Sequence, residues 1–232
     1  MSSGVQVKVI ENIPAKLDAD ELVKGLRIRR NVDYIRNKLG SLIETISPVM
    51  NPKAIYSVSF VDKIEGDNVT IGDTVFTSRV VRMNLEKVGR VFPYIVTAGS
   101  ELDDVELSKG QSAMLLNQVK TAVVSKAYQY LKAHLTEKYG IKSLSSVGPG
   151  RLDEWPITQQ RELFSHFGDN VDRIGVHLTK TCLMVPIKTI SGLFFPSEAG
   201  FESCELCSRE NCIGRRAAFD PKLVEIFGVE NQ

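Results

Sequence analysis

From Val5 to Val9 apolar and polar residues alternate, the period of a strand with one buried face. Asp18, with Glu21 three residues later, has the form of a capping box that opens a short helix. Ile35, Leu39, Leu42, Ile43 and Ile46 then share one helical face, and Pro48 ends the run. Ala54 to Val61 reads as a strand, and Val69, Ile71 and Val75 around Gly72 and Asp73 read as a small hairpin. Ser78 is placed to cap a helix carrying Val81, Leu85 and Val88, before the apolar strand Val91 to Thr97. The longest predicted element runs from Ser112 to Tyr139, with Leu115, Leu116, Val119, Val123, Ala127, Tyr130, Leu131, His134 and Leu135 at helical spacing.

A Gly/Pro-rich stretch, Ser145 to Pro156, joins this helix to a shorter one beginning near Thr158. Two strand-like runs follow between Gly175 and Phe195, around Pro186. Asp220 and Pro221 supply an N-cap acid and a proline at the first helical position, and Ile226 and Phe227 of that last helix are expected to pack back on the body. Strands and helices mix without the strict alternation of a doubly wound fold. The expected class is α+β, one domain with a mainly antiparallel sheet flanked by helices and a cysteine-rich loop near the C-terminus. No long linker divides the chain, so residues 1–199 are read as the domain body and 200–232 as a loop and helix packed on it.

The 232 residues carry 29 Lys+Arg against 28 Asp+Glu, a net charge of +1 that argues against an electrostatically driven nucleic-acid or membrane binder. No apolar stretch approaches the ~20 residues of a membrane span, and Met1 to Asp20 has no secretory pattern, so a cytoplasmic location is expected. In that reducing compartment a tight cysteine cluster points to a metal or redox site before it points to disulfides.

Three of the four cysteines, Cys204, Cys207 and Cys212, fall within nine residues. Cys-x2-Cys holds two thiolates near one ion, and a third cysteine beyond it closes a cup. A zinc site wants four ligands, whereas an iron-sulfur cluster takes three or four thiolates; Cys182 is the distant candidate for the fourth. Arg209, Arg215 and Arg216 lie nearby in sequence and would offset thiolate charge. In the Gly/Pro stretch, Gly148 and Gly150 let backbone approach a ligand and Trp155 supplies the single indole. Lys188 and Ser191 are candidate anion contacts, while His134 and His177 lack partners at ligand spacing. No Ser/His/Asp or Cys/His nucleophile signature and no phosphate-binding P-loop is present.

In chain order, Gly148-Pro-Gly150, Asp153 to Pro156 with Gln160, Gly175 to Thr179, Met184 to Lys188 and Ile190-Ser-Gly192 resemble the activation domain of cobalamin-dependent methionine synthase in a stand-alone form. Val96 to Gly99, before an acidic stretch, adds to the likeness, which covers residues 16–216. The resemblance implies a C-shaped domain on a twisted antiparallel sheet that binds S-adenosylmethionine. It also implies docking over a corrinoid oxidised to Co(II), where one electron from a flavodoxin, ferredoxin or reductase and a methyl group from S-adenosylmethionine restore methylcobalamin. The cobalamin would be supplied by a partner, a corrinoid-carrying methyltransferase or methionine synthase itself. Ligand contacts implied at matching places are Pro149, Gly150, Arg151 and Phe194; the family's arginine before Pro-Gly-Tyr is Ser146 here, Arg151 stands at the tyrosine, and Phe194 stands for the tyrosine after Ser-Gly. Against that family the cysteine cup is an addition, expected either to relay an electron or, as a zinc site, to stiffen a non-catalytic docking module.

Overall fold

The computed structural model describes residues 6–107, 112–197, 201–209, 215 and 217–228. Its strands are β1 (Val7–Ile10), β2 (Lys53–Ser57), β3 (Ser59–Glu65), β4 (Asn68–Ile71), β5 (Thr74–Thr77), β6 (Arg90–Thr97), β7 (Leu144–Val147), β8 (His177–Leu178), β9 (Met184–Val185) and β10 (Thr189–Pro196). The helices are α1 (Ala19–Gly25), α2 (Val32–Ile46), α3 (Arg79–Leu85), α4 (Ala113–Tyr139), α5 (Gln160–Phe167) and α6 (Pro221–Phe227). The class is α+β, as the pattern predicts: eight strands form one antiparallel sheet, and β8 and β9 pair separately.

Side-chain caps hold the helix starts, those at Asp18 and Ser78 as predicted. Asp18 accepts from the Glu21 N–H, Ser78 from Val81 and Ser112 from Leu115, each satisfying a first-turn donor that has no partner inside its helix. Gly140, at φ 61°, closes α4 in the left-handed conformation.

The sheet is organised on β6. One of its edges carries β10, whose far side pairs with β7; the other carries β2 and then β3, with β1 outside β2 and the β4–β5 hairpin outside β3. The single strand expected over Ala54 to Val61 is interrupted at Val58. Tyr56 pairs with Tyr94 and Ser59 with Val91 in one register, so the two missing pairs are Ser57 with Pro93, which has no N–H to give the ladder, and Val58 with Phe92.

Both faces of this sheet are covered, and the alternation of side chains divides them between two cores. Tyr56, Phe92, Tyr94, Val96 and Phe194 face α2 and α4, where Leu39, Leu42, Ile46, Val119, Val123 and Leu131 are buried. Ile55, Val91, Ile95, Leu193 and Phe195 face the other way, against α3, α5 and α6. Along α4 the buried aromatic is Tyr128, not the expected Tyr130, which stays 37 % exposed; the buried stripe continues through Val124 and Tyr128 to Leu131 and Leu135. In α6, Val224 and Phe227 pack inward and Ile226 points to solvent, correcting the expectation for Ile226.

Candidate functional site

A groove of about 570 Å³ opens where α4, the loop after β7 and the β9–β10 segment meet. One wall is the N-terminal half of α4, through Thr121, Ser125 and Gln129; Pro149 and Arg151 form one end, and Met184 to Ser191 form the opposite wall. That volume suits a ligand of nucleotide size.

Two glycines let the walls meet. A Cβ on Gly192 would lie 2.1 Å from the Val147 carbonyl oxygen, so β10 can cross β7 at this closeness only without a side chain. Gly150, at φ 74°, turns the loop so that its N–H reaches the Trp155 carbonyl at 2.7 Å and Ile157 packs where its side chain would be. The second wall turns at the cis peptide Val185–Pro186, and the Thr189 hydroxyl donates to the Pro186 carbonyl at 2.7 Å.

Beneath the groove lies a layer of aromatic rings and hydroxyls. Tyr94 and Phe194 stack with centroids 4.0 Å apart, and Tyr128 tilts against Phe194 at 5.2 Å. The Tyr128 hydroxyl donates to Ser146 Oγ at 2.8 Å, and Ser146 in turn donates to Glu202 Oε2 at 3.2 Å. Lys132 neutralises that carboxylate at 3.0 Å, a pairing a carboxylate only 8 % exposed requires. Arg151 reaches Ser146 Oγ at 3.4 Å and the Tyr94 hydroxyl at 3.3 Å, and among the described residues no carboxylate comes within ion-pair distance of it. Gln160, buried at the start of α5, accepts from the Ser191 hydroxyl at 2.9 Å and fixes that wall.

The ligand contacts implied by resemblance therefore separate. Pro149 and Arg151 line the groove. Gly150 shapes the loop behind it. Phe194 is fully buried under the groove floor, a core side chain and not a lining one, because the alternation of β10 turns it toward α4. Trp155 is 1 % exposed and meets Phe76 edge-on at 5.9 Å, so its indole builds the second core. Tyr94, Tyr128, Lys132 and Glu202 were not singled out by the sequence; the Tyr128 spacing from Val124 and Leu131 is the one signal that marks any of them.

The cysteines separate as well. Cys204 lies within the one-turn 3-10 helix Ser203–Leu206 and Cys207 is its C-cap, and the turn starts with a capping box between Glu202 and Glu205. Both are half-buried and neither is in a disulfide. Arg215 ties the turn together by donating to the carbonyls of Cys204 and Cys207, both at 2.9 Å, and it also lines the groove. Cys212 lies outside the described residues. Cys182 is 2 % exposed, at φ 63°, with its sulfur 3.2 Å from Arg161 Nε. Among the described residues no three His, Cys, Asp or Glu side chains come together as a metal-holding group, so Cys182 does not join Cys204 and Cys207.

His166 is a buried polar centre apart from the groove. Its Nε2 lies 2.9 Å from Ser57 Oγ and 3.3 Å from Ser59 Oγ, and its Nδ1 lies 3.2 Å from Thr74 Oγ1. Burial pushes its pKa down to about 4, with Asp73 opposing the shift. Ser57 is fully buried, so this Ser/His pair meets no substrate and serves the packing of α5 on the sheet.

Among the described residues no helix is long and apolar enough to cross a membrane. No family model matches the chain, and no curated protein matches it. The crystal structure of the MetH reactivation domain bound to AdoHcy is similar to it with a TM-score of 0.57, over 84 % of this chain and 79 % of that one, at 11 % identity. The chain thus has the fold of the MetH reactivation domain, reached with almost none of its sequence.

Proposed function

We propose that this protein is an accessory factor that docks on a corrinoid-carrying methyltransferase, methionine synthase or a related protein, and serves the return of its Co(II) corrinoid to the active state. The observation that carries this reading is the shared fold over 84 % of the chain. Two features of the surface support it. The groove stands where a ligand site can be built, and Ile187 and Ile157, which line it and are 79 % and 40 % exposed, put apolar surface at its edge suited to a protein partner.

S-adenosylmethionine, which the fold suggests, fits the groove in size. It does not fit in charge. Its carboxylate suits one cationic side chain, but its sulfonium and ammonium leave it net cationic, and the described lining sets Arg151, Lys188 and Arg215 against it with no aspartate or glutamate. No methyl-transfer step is therefore assigned to these residues. The role proposed is docking that admits one electron from a flavodoxin, ferredoxin or reductase to Co(II), giving Co(I).

A second reading keeps the docking and makes the cysteine segment structural, with zinc held by Cys204, Cys207 and Cys212. It is favoured by the placing of Cys204 and Cys207 on one turn whose carbonyls Arg215 gathers. An iron-sulfur cluster on the same thiolates would instead supply the electron. Anaerobic purification with metal and iron analysis separates the two: one zinc and no visible absorption supports the structural site, iron with a charge-transfer band supports the relay. Titrating the protein into a Co(II) corrinoid methyltransferase tests the docking itself. A saturable change in the corrinoid absorption is expected, and an unchanged spectrum at stoichiometric excess contradicts the reading.

A further inference from the structure

The groove's charge is one-sided in a molecule whose charges otherwise balance, 29 basic against 28 acidic residues. Three cationic side chains line it with no acidic one among the described residues. The acids nearby are engaged elsewhere: Asp103, which acts on Lys188, pairs with Lys120 at 3.2 Å, and Glu202 pairs with Lys132 at 3.0 Å. Arg151 bonds only to neutral hydroxyls, at 3.3 and 3.4 Å, which are long for a guanidinium. Arg215 gives its fork to backbone carbonyls, and among the described residues no carboxylate pairs with it. The Lys188 ammonium is disfavoured first by burial and then by Lys120.

A cleft whose charged side chains, among the described residues, are all cationic carries a positive potential that draws an anion. The cleft also offers apolar surface from Val124, Met184 and Ile190. We infer that the groove takes an anion of nucleotide size, bearing two or more negative charges beside an apolar body, in preference to the net-cationic S-adenosylmethionine. The bidentate fork of Arg151 suits phosphate oxygens, the Ser125 hydroxyl suits a sugar or a further oxygen, and the Thr121 hydroxyl, which donates to the Asn117 carbonyl, is left to accept from a sugar hydroxyl. This inference rests on the groove being the ligand site, as proposed above, but not on the corrinoid reaction.

Calorimetry on the full chain with ADP, adenosine and S-adenosylmethionine tests it. ADP is expected to bind about tenfold or more tighter than the other two, and to weaken several-fold as salt rises from low to physiological strength. Lys188→Gln and Arg151→Gln should each reduce ADP affinity about tenfold with the far-ultraviolet spectrum unchanged. Since Arg151 also touches the groove floor, Lys188→Gln, which alters a side chain that makes no hydrogen bond or ion pair among the described residues, carries the test if Arg151→Gln fails to fold. Equal or tighter binding of adenosine or S-adenosylmethionine, no binding of ADP at millimolar concentration, or a folded Lys188→Gln protein with unchanged ADP affinity would overturn it. Docking on a corrinoid protein is read independently by the corrinoid spectrum, so an ADP failure with docking retained defeats this inference alone.

Discussion

His166 illustrates how a single side chain sets a solution property of the whole fold. With its pKa lowered from 6.5 to about 4, the native state resists protonation while the unfolded chain accepts a proton from about pH 6.5 downward. The unfolded state then binds more protons, so stability is full above about pH 6.5 and falls as the pH drops toward 4, by about 3 kcal/mol at most. Urea titrations at pH 7.0 and 5.0 should show this loss, and His166→Gln, which keeps a hydrogen-bonding side chain without the titration, should flatten it. A second prediction at this scale concerns Glu202. Glu202→Ala removes the acceptor of Ser146, the partner of Lys132 and half of a capping box, and should cost about 2 kcal/mol in urea unfolding. A midpoint within error of the parent protein would mean that the network beneath the groove is not an energetic unit. Neither role was legible in the sequence, because the hydrogen-bond partners of His166 lie 92 to 109 residues away in the chain and the partners of Glu202 beneath the groove lie 56 and 70 away.

At the scale of elements, local chemistry was read well and long-range consequences were not. The caps at Asp18, Ser78 and Asp220 are contacts within three residues, and each stands where the sequence places it. The break at Val58 depends on Pro93 in another strand, and the orientation of Phe194 depends on the register of β10 against β6. Tyr130 and Tyr128 both sit near the apolar stripe of α4, and only the packing on Tyr94 and Phe194 selects Tyr128. Gly192→Ala would drive a methyl group into the Val147 carbonyl, so it should separate β10 from β7, lower stability by more than about 2 kcal/mol and disturb the groove they frame. Truncation after Arg216 removes α6, with Val224 and the Phe227 ring that stacks on Phe201 at 5.3 Å. Losing two buried side chains should cost about 3 kcal/mol, or roughly 5–10 °C in the melting temperature. Unchanged melting of the truncated protein would contradict the packing described for α6.

For the molecule as a whole, the mixture of short strands and amphipathic helices established the α+β class, and the motifs of the second half pointed to the fold that the MetH reactivation domain shares. The groove was only partly legible. Lys188 and Ser191 stood out in the local sequence and Pro149 and Arg151 through the family resemblance, whereas the place of Arg215 and of the α4 wall in the groove comes from tertiary packing alone. The cysteines teach the complementary lesson: proximity in sequence brings Cys204 and Cys207 onto one turn, but a fourth ligand chosen by elimination, Cys182, is buried beside Arg161. The central claim is that the protein assists the reductive recovery of a partner's corrinoid. It is tested most directly by following the Co(II) electron paramagnetic resonance signal of a methionine synthase fragment that lacks its own activation domain, under a flavodoxin-based reducing system. Adding this protein in stoichiometric amount should accelerate loss of the Co(II) signal severalfold, and a decay rate unaltered by a tenfold excess would contradict the account.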